Sequence, residues 1–187
     1  IRREKYMLKL IKSIVFVFIL FLNPLNVFAD TAAEIDAGVD AALSKLFNDS
    51  YAAKTLAPVA KGILVYPDVL KAGLVLGGQY GEGALRIDGK TVGYFNTVAA
   101  SYGLQAGVQS FGYAMYFMND EALNYVNNSD GWEVGFGPSI VIVDEGAASS
   151  LTTTSAKDDI YVFFFDQKGL MAGLGIQGSK ITRITPD

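Results

Sequence analysis

The sequence contains neither cysteine nor histidine. Without cysteine there is no disulfide and no thiolate chemistry. Without histidine the commonest general base and the commonest metal ligand are both missing. A catalytic site would have to use lysine, a carboxylate or a hydroxyl. Basic residues are also few, 15 against 19 acidic ones. Five of those 15 and one of those 19 precede Asp30, so the remainder holds 10 basic and 18 acidic residues, a net charge of −8. A body this acidic, with no cluster of cations, does not suit nucleic-acid binding through counterion release.

Phosphate and nucleophile motifs fail on spacing. Ala84 to Thr91, ALRIDGKT, has Ala where a phosphate loop needs its first Gly, and its Gly-Lys-Thr leads into a strand pattern rather than a helix. Around Ser110 the glycines are one position out for a nucleophile elbow. The pairs Asp120-Glu121, Asp144-Glu145 and Asp158-Asp159 lie beside turns or helix starts, where caps and solvated loops explain them. Asn127 to Glu133 lacks the spacing of a calcium loop. No catalytic constellation, cofactor site or metal site is expected, and the reading is of a protein that is not an enzyme.

What is abundant is apolar and small. Hydrophobic residues make up 51% of the 187-residue chain, and 20 residues are glycine. From Val92 to Gln109, large side chains such as Tyr94, Val98, Tyr102, Leu104 and Val108 alternate with Gly93, Ser101, Gly103 and Gly107. Period two is the signature of a strand with two different faces. Glycine weakens a strand interior unless strong curvature, or close approach of a backbone or ligand, requires it. The fold class expected is α+β, with a curved, glycine-rich antiparallel sheet or barrel-like core and N-terminal helices packed on it.

In chain order, Met7 opens a targeting segment. Lys9 and Lys12 precede the apolar run Ile14 to Leu22, and Val27-Phe28-Ala29 resembles a cleavage site. The expectation is a signal peptide over residues 1–29, cleavage near Ala29, and one exported domain over residues 30–187, periplasmic or secreted. Thr31 and Glu34 form a capping-box pattern that opens an amphipathic helix over about Ala32 to Tyr51. Its stripe is Ile35, Val39, Ala42, Leu43, Leu46, Phe47 and Tyr51. That stripe either packs on the domain or faces lipid. A shorter helix over about Ala52 to Lys61 is limited by Pro58.

Gly62 to Tyr66 reads as a short strand stopped by Pro67, with Asp68 to Lys71 a turn or one helical turn. Leu74 to Ile87 and the strand from Thr91 are joined by the tight turn Asp88-Gly89. Phe111 to Met118 is a further strand, and Asn119 or Asp120 caps a short helix. Trp132 to Val143 reads as one alternating strand. Ile160 to Phe165 is the candidate central strand, Asp166 to Gly169 a turn, and Leu170 to Ile184 the last strand.

Two sets of residues are candidates for binding. Lys54, Lys61 and Lys71 lie in a region of several cations and few acids, and Leu43, Phe47 and Tyr51 belong to the helix stripe beside them. Tyr80, Tyr94, Tyr102 and Trp132 are aromatics with small neighbours, able either to line a pocket or to fill a core.

The segment Lys61-Gly62-Ile63-Leu64-Val65-Tyr66-Pro67, then Lys71-Ala72-Gly73 and Gly77-Gly78, resembles the opening of the SYLF domain family. Trp132 to Gly137, Asp144, Thr152 to Thr154 and Ala172 to Ser179 are similar to its second half, so the resemblance runs from about Ala32 to Ile184. It implies a single α+β domain that binds membrane lipid, a phospholipid or fatty-acyl ligand, partly through an N-terminal amphipathic segment. The acidic helix departs from what phosphoinositide binding asks for. The alternative partner is another protein of the cell envelope, met by an exposed helix or sheet face.

Overall fold

The computed structural model describes residues 30–73, 76–102, 107–128, 131–143, 148, 151–169, 176 and 178–187, without the side chains of residues 101 and 102. The expected signal segment, residues 1–29, lies outside them. Helix α1 (Ala32–Asp49) starts where Thr31 closes the expected capping box: its side chain accepts from the Glu34 N–H, and the Glu34 side chain accepts from the Thr31 N–H. Ser50 ends α1 in an extended conformation, with φ −126° and ψ 109°, and its Oγ accepts from the Ala53 N–H to start α2 (Tyr51–Leu56). The two helices expected are there, and the break between them falls at Ser50, where they meet at a corner. Pro58 confines the chain after α2 to a 3₁₀ turn (Ala57–Val59).

Eight strands come next: β1 (Gly62–Gly73), β2 (Leu76–Ile87), β3 (Lys90–Tyr102), β4 (Gly107–Phe117), β5 (Trp132–Glu133), β6 (Ile140–Val143), β7 (Ile160–Gly169) and β8 (Lys180–Ile184). Helix α3 (Asp120–Asn128) stands between β4 and β5, capped by Asn119 Oδ1, which accepts from the Ala122 N–H. The strands form one sheet in the order β5-β8-β3-β2-β1-β4-β7-β6, curled into a half-barrel. The α+β class with a curved sheet is as expected. All pairings are antiparallel except β6 with β7, which is parallel.

Four expectations about strands are corrected. Pro67 does not stop β1, and Asp68 to Lys71 continues the strand instead of turning; the register shifts at Pro67 on both sides, between Val65 and Asp68 against β2 and between Tyr66 and Val69 against β4. A bulge is where a residue without an N–H is tolerated inside a sheet. Asp166 to Gly169 is likewise a bulge within β7 and not a turn: Asp166 takes φ 54°, and pairing resumes at Ser110 with Lys168. Trp132 to Val143 is not one strand, because Gly135 (φ 111°), Gly137 (φ 90°) and Pro138 break it into β5 and β6. Ile160 to Phe165 lies second from the edge of the sheet rather than at its centre. The expected hairpin does form at Asp88-Gly89, with φ 51° and 75°, the doubly positive pattern of a tight two-residue turn. Residues 170–175 and 177 of the expected last strand lie outside the described residues, and β8 covers its end.

The sheet buries both faces. On one, Leu64, Tyr66, Val69, Phe95, Phe111, Tyr113 and Met115 pack with α3 through Ala122, Leu123 and Val126. On the other, Ile63, Val65, Ala84, Ala114, Tyr116, Phe163 and Phe165 pack under α1 and α2 through Ile35, Val39, Ala42, Leu46, Ala52 and Leu56. Alternation along β1 and β4 feeds the two cores in turn, which is the period-two logic of the sequence made structural. Polar contacts fasten α1 as well. Asp36 accepts from Thr91 Oγ1 at 2.6 Å and Tyr94 OH at 2.9 Å, and Arg86 reaches Asp36 at 3.3 Å and Asp40 at 2.7 Å.

Candidate functional site

The corner at Ser50 leaves a gap. Helix α1 packs down onto the sheet as far as Leu46, and α2 follows across the break at Ser50. Between them lies a groove of about 690 Å³. Its walls are Leu46, Tyr51 and Ala52 from the helices and Val143, Phe163 and Phe165 from the strands. Phe163 and Phe165 lie on one face of β7, so alternation aims both rings at the helices. The volume is within the ~300–1,000 Å³ of ordinary ligand pockets.

The mouth of the groove is polar. Asp49, Ser50, Asp166 and Gln167 line it. Asp166 reaches it because the bulge in β7 turns its backbone to positive φ. Lys45 on α1 pairs with Asp166, and that bond holds the Lys45 ammonium above its ordinary value. Lys54 is exposed in α2, three residues beyond Tyr51 and so on the adjoining surface of the helix.

The structure separates most of the residues singled out from the sequence. Leu43 and Phe47 are half-buried beside the helix-side core, while Tyr51 is 81% exposed and lines the groove. Lys61 precedes β1 and Lys71 lies near its far end. At about 3.3 Å per residue the two are roughly 30 Å apart, so the three lysines do not converge. Tyr80 is 43% exposed on β2 and donates to Glu82; burial and that carboxylate push its phenol up to about 12. Tyr94 lies under α1, bonded to Asp36, with its phenol raised by desolvation and then by that bond. Tyr102 ends β3, and its side chain lies outside the described residues. Trp132 is buried against Tyr125, its Nε1–H donating to the Phe136 carbonyl at 2.8 Å. Tyr80, Tyr94 and Trp132 thus belong to different places and line no common pocket.

Leu46, Ala52, Val143, Phe163 and Phe165 complete the groove and were not singled out. Leu46 was legible as part of the helix stripe. The Phe-Phe-Phe run gave no signal, because a continuous apolar stretch does not say which ring faces which side. Among the described residues no group of His, Cys, Asp and Glu is placed to hold a metal ion, and no helix is long and apolar enough to cross a membrane.

Residues 98–185 match the family model described as Ysc84, Las17-binding protein actin regulator. The matched segment runs from the end of β3 through β8 and so includes the strand walls of the groove but not its helices. No curated protein matches the chain. Over that segment, just under half of its length, the chain is similar to the SYLF, or Ysc84, domain family.

Proposed function

We propose that this protein is a non-enzymatic, exported lipid-binding domain that takes a fatty-acyl chain in the groove between the α1–α2 corner and β6–β7. The observation that carries the reading is the groove itself, an apolar cavity of about 690 Å³ with a polar mouth. Each methylene moved from water onto such walls contributes roughly 0.8 kcal/mol. Leu46, Phe163 and Phe165 supply the walls, Tyr51 overhangs the entrance, and Lys54 stands beside it for a carboxylate or phosphate. Export is read from the segment Met7 to Ala29. The family description names actin regulation, but no feature of this chain supports carrying that over.

The test is native mass spectrometry of protein purified from its own envelope, with organic extraction, followed by titration with a fluorescent fatty acid. A stoichiometric lipid and saturable probe binding are expected. Tyr51→Asp, at an exposed position, places a charge at the entrance and weakens the probe by about tenfold. A clean apo mass with no probe binding refutes the reading and favours a protein partner in the envelope.

A further inference from the structure

The two edges of the sheet are built differently. One is β5, two residues long and ending in Glu133; shortness and a charge both discourage pairing with another chain. The other is β6, Ile140-Val141-Ile142-Val143, wholly apolar and β-branched. No residue from Val134 to Val143 is charged, in a chain with 19 acidic and 15 basic residues. An apolar edge without a charge or a proline in it is a ready template for another strand.

Among the described residues only one side of β6 is paired. It runs parallel to β7, and the Ile160 N–H donates to the Ser139 carbonyl at 3.0 Å. Successive residues of a strand aim their backbone groups to opposite sides, so Ser139, Val141 and Val143 turn theirs toward β7. Ile140 and Ile142 turn N–H and C=O outward, where no described residue bonds them. Buried backbone groups need partners, and a strand edge satisfies them with water or with another strand. Ala148, Leu151 and Ala156, which follow β6 in the chain, pack on the helix-side core, over a face of the sheet. Ile142 is left 47% exposed.

We infer that β6 is a pairing edge for a second copy of this chain, joined antiparallel about a two-fold axis at Val141. The register selects the occupant. An axis at Val141 sets Ile140 opposite Ile142 of the copy, and Ile142 opposite its Ile140. Facing residues in an antiparallel pair alternately exchange both backbone bonds or none. With this axis the exchanging residues are Ile140 and Ile142, the two whose groups point outward. Every outward group of β6 then meets a partner, and Val141 faces its own counterpart in a non-bonded pair. An axis at Ile140 would instead set Ile142 against Pro138, which has no N–H to give. Two identical β6 strands also meet without like charges opposite one another, which few surfaces of so acidic a chain allow. A pairing of four residues buries less than the ~1,000 Å² of a stable interface, so the dimer dissociates on dilution. The inference stands whether or not the groove holds an acyl chain.

The test exploits the absence of cysteine. Facing residues of a non-bonded antiparallel pair have Cα atoms about 4.5 Å apart, within the span of a disulfide. Val141→Cys is therefore expected to give a disulfide-linked dimer of the full chain on air oxidation. Ile142→Cys is not, because its counterpart lies roughly 8 Å away, one strand spacing across and two residues along. In sedimentation equilibrium the wild-type mass is expected to rise from monomer toward dimer with concentration. Ile142→Pro removes an outward N–H and leaves every bond to β7, and lowers the dimer affinity by about tenfold or more. Ile142→Lys, at an exposed position, does the same by placing a charge on the edge, and serves if proline disturbs the strand. Circular dichroism checks that both variants fold. Three results overturn the inference: a wild type that is monomeric at every concentration, its edge left to solvent or to a strand of another protein; a dimer that folded Ile142→Lys and Ile142→Pro leave intact; or cross-linking of Ile142→Cys as efficient as that of Val141→Cys.

Discussion

Gly83→Ala asks whether glycine is used here because two backbones touch. Gly83 lies in β2 opposite Phe95, beside the place where β1 bulges between Val65 and Asp68. A Cβ added there would stand 2.1 Å from the Val65 carbonyl oxygen and 2.8 Å from Tyr66 Cδ1. The first neighbour is backbone, held on both sides by strand pairing, so it cannot rotate away. Relief requires β1 or β2 to shift, and overpacking of this kind costs about 1–3 kcal/mol and occasionally more. Alanine gains back about 0.5–1 kcal/mol through the unfolded chain. Because the approach is to backbone and so close, the upper end of that cost applies, and the expected net loss is about 2 kcal/mol, or a fall of about 4–8 °C in Tm for a domain of this size. Gly78→Ala is the matched control in the same strand, where the nearest atom to an added Cβ is the Ala99 carbonyl oxygen at 3.9 Å. It is expected to melt at or slightly above the wild-type temperature. Thermal unfolding followed by circular dichroism reads both. If Gly83→Ala melts within two degrees of wild type (about 0.5 kcal/mol), or Gly78→Ala falls as far, close backbone approach is not the reason for these glycines.

Asp36→Ala removes the acceptor shared by Thr91, Tyr94 and Arg86, and is expected to cost about 1–3 kcal/mol in urea unfolding, with α1 loosening first in hydrogen exchange. Tyr116→Phe is expected to hold or raise stability by up to about 1 kcal/mol, because the Tyr116 hydroxyl is fully buried without a hydrogen-bond partner, its ionisation pushed far up by burial. Asp159 accepts from the Ser139 N–H and Oγ and from Asn119 Nδ2, and those bonds hold its carboxyl below the ordinary value of 3.8. Its folded form binds the proton less readily than the unfolded one, so its stabilising effect is complete above that ordinary value and fades as pH falls through the lower folded one. Asp159→Asn should therefore flatten the acid limb of stability against pH, as measured by Tm between neutral pH and pH ~3.

Much of the fold was written locally. Thr31 and Glu34 gave the start of α1, Asp88-Gly89 gave the hairpin, and alternation through β2, β3 and β4 gave strands with two faces. Each of these depends on groups a few residues apart, so the pattern is complete in the chain itself. Pro67 and Asp166 misled because a bulge and a turn share local chemistry; the neighbouring strands, distant in sequence, decide which forms. The groove was legible only in part. Leu46 and Tyr51 were on a recognisable stripe, but Phe163 and Phe165 come from a run whose facing the sequence leaves open. Lys61 and Lys71, close in sequence, are driven apart because the chain between them is extended.

The sequence alone determined the local elements, the apolar and acidic character of the chain, and the lack of histidine and cysteine chemistry. The tertiary structure decided which apolar side chains were consumed in two cores and which were left over. Burial is a competition among surfaces brought together over long sequence distances. Among the described residues α1 and α2 cover part of one face of the sheet, and the groove opens where α1 ends at Ser50.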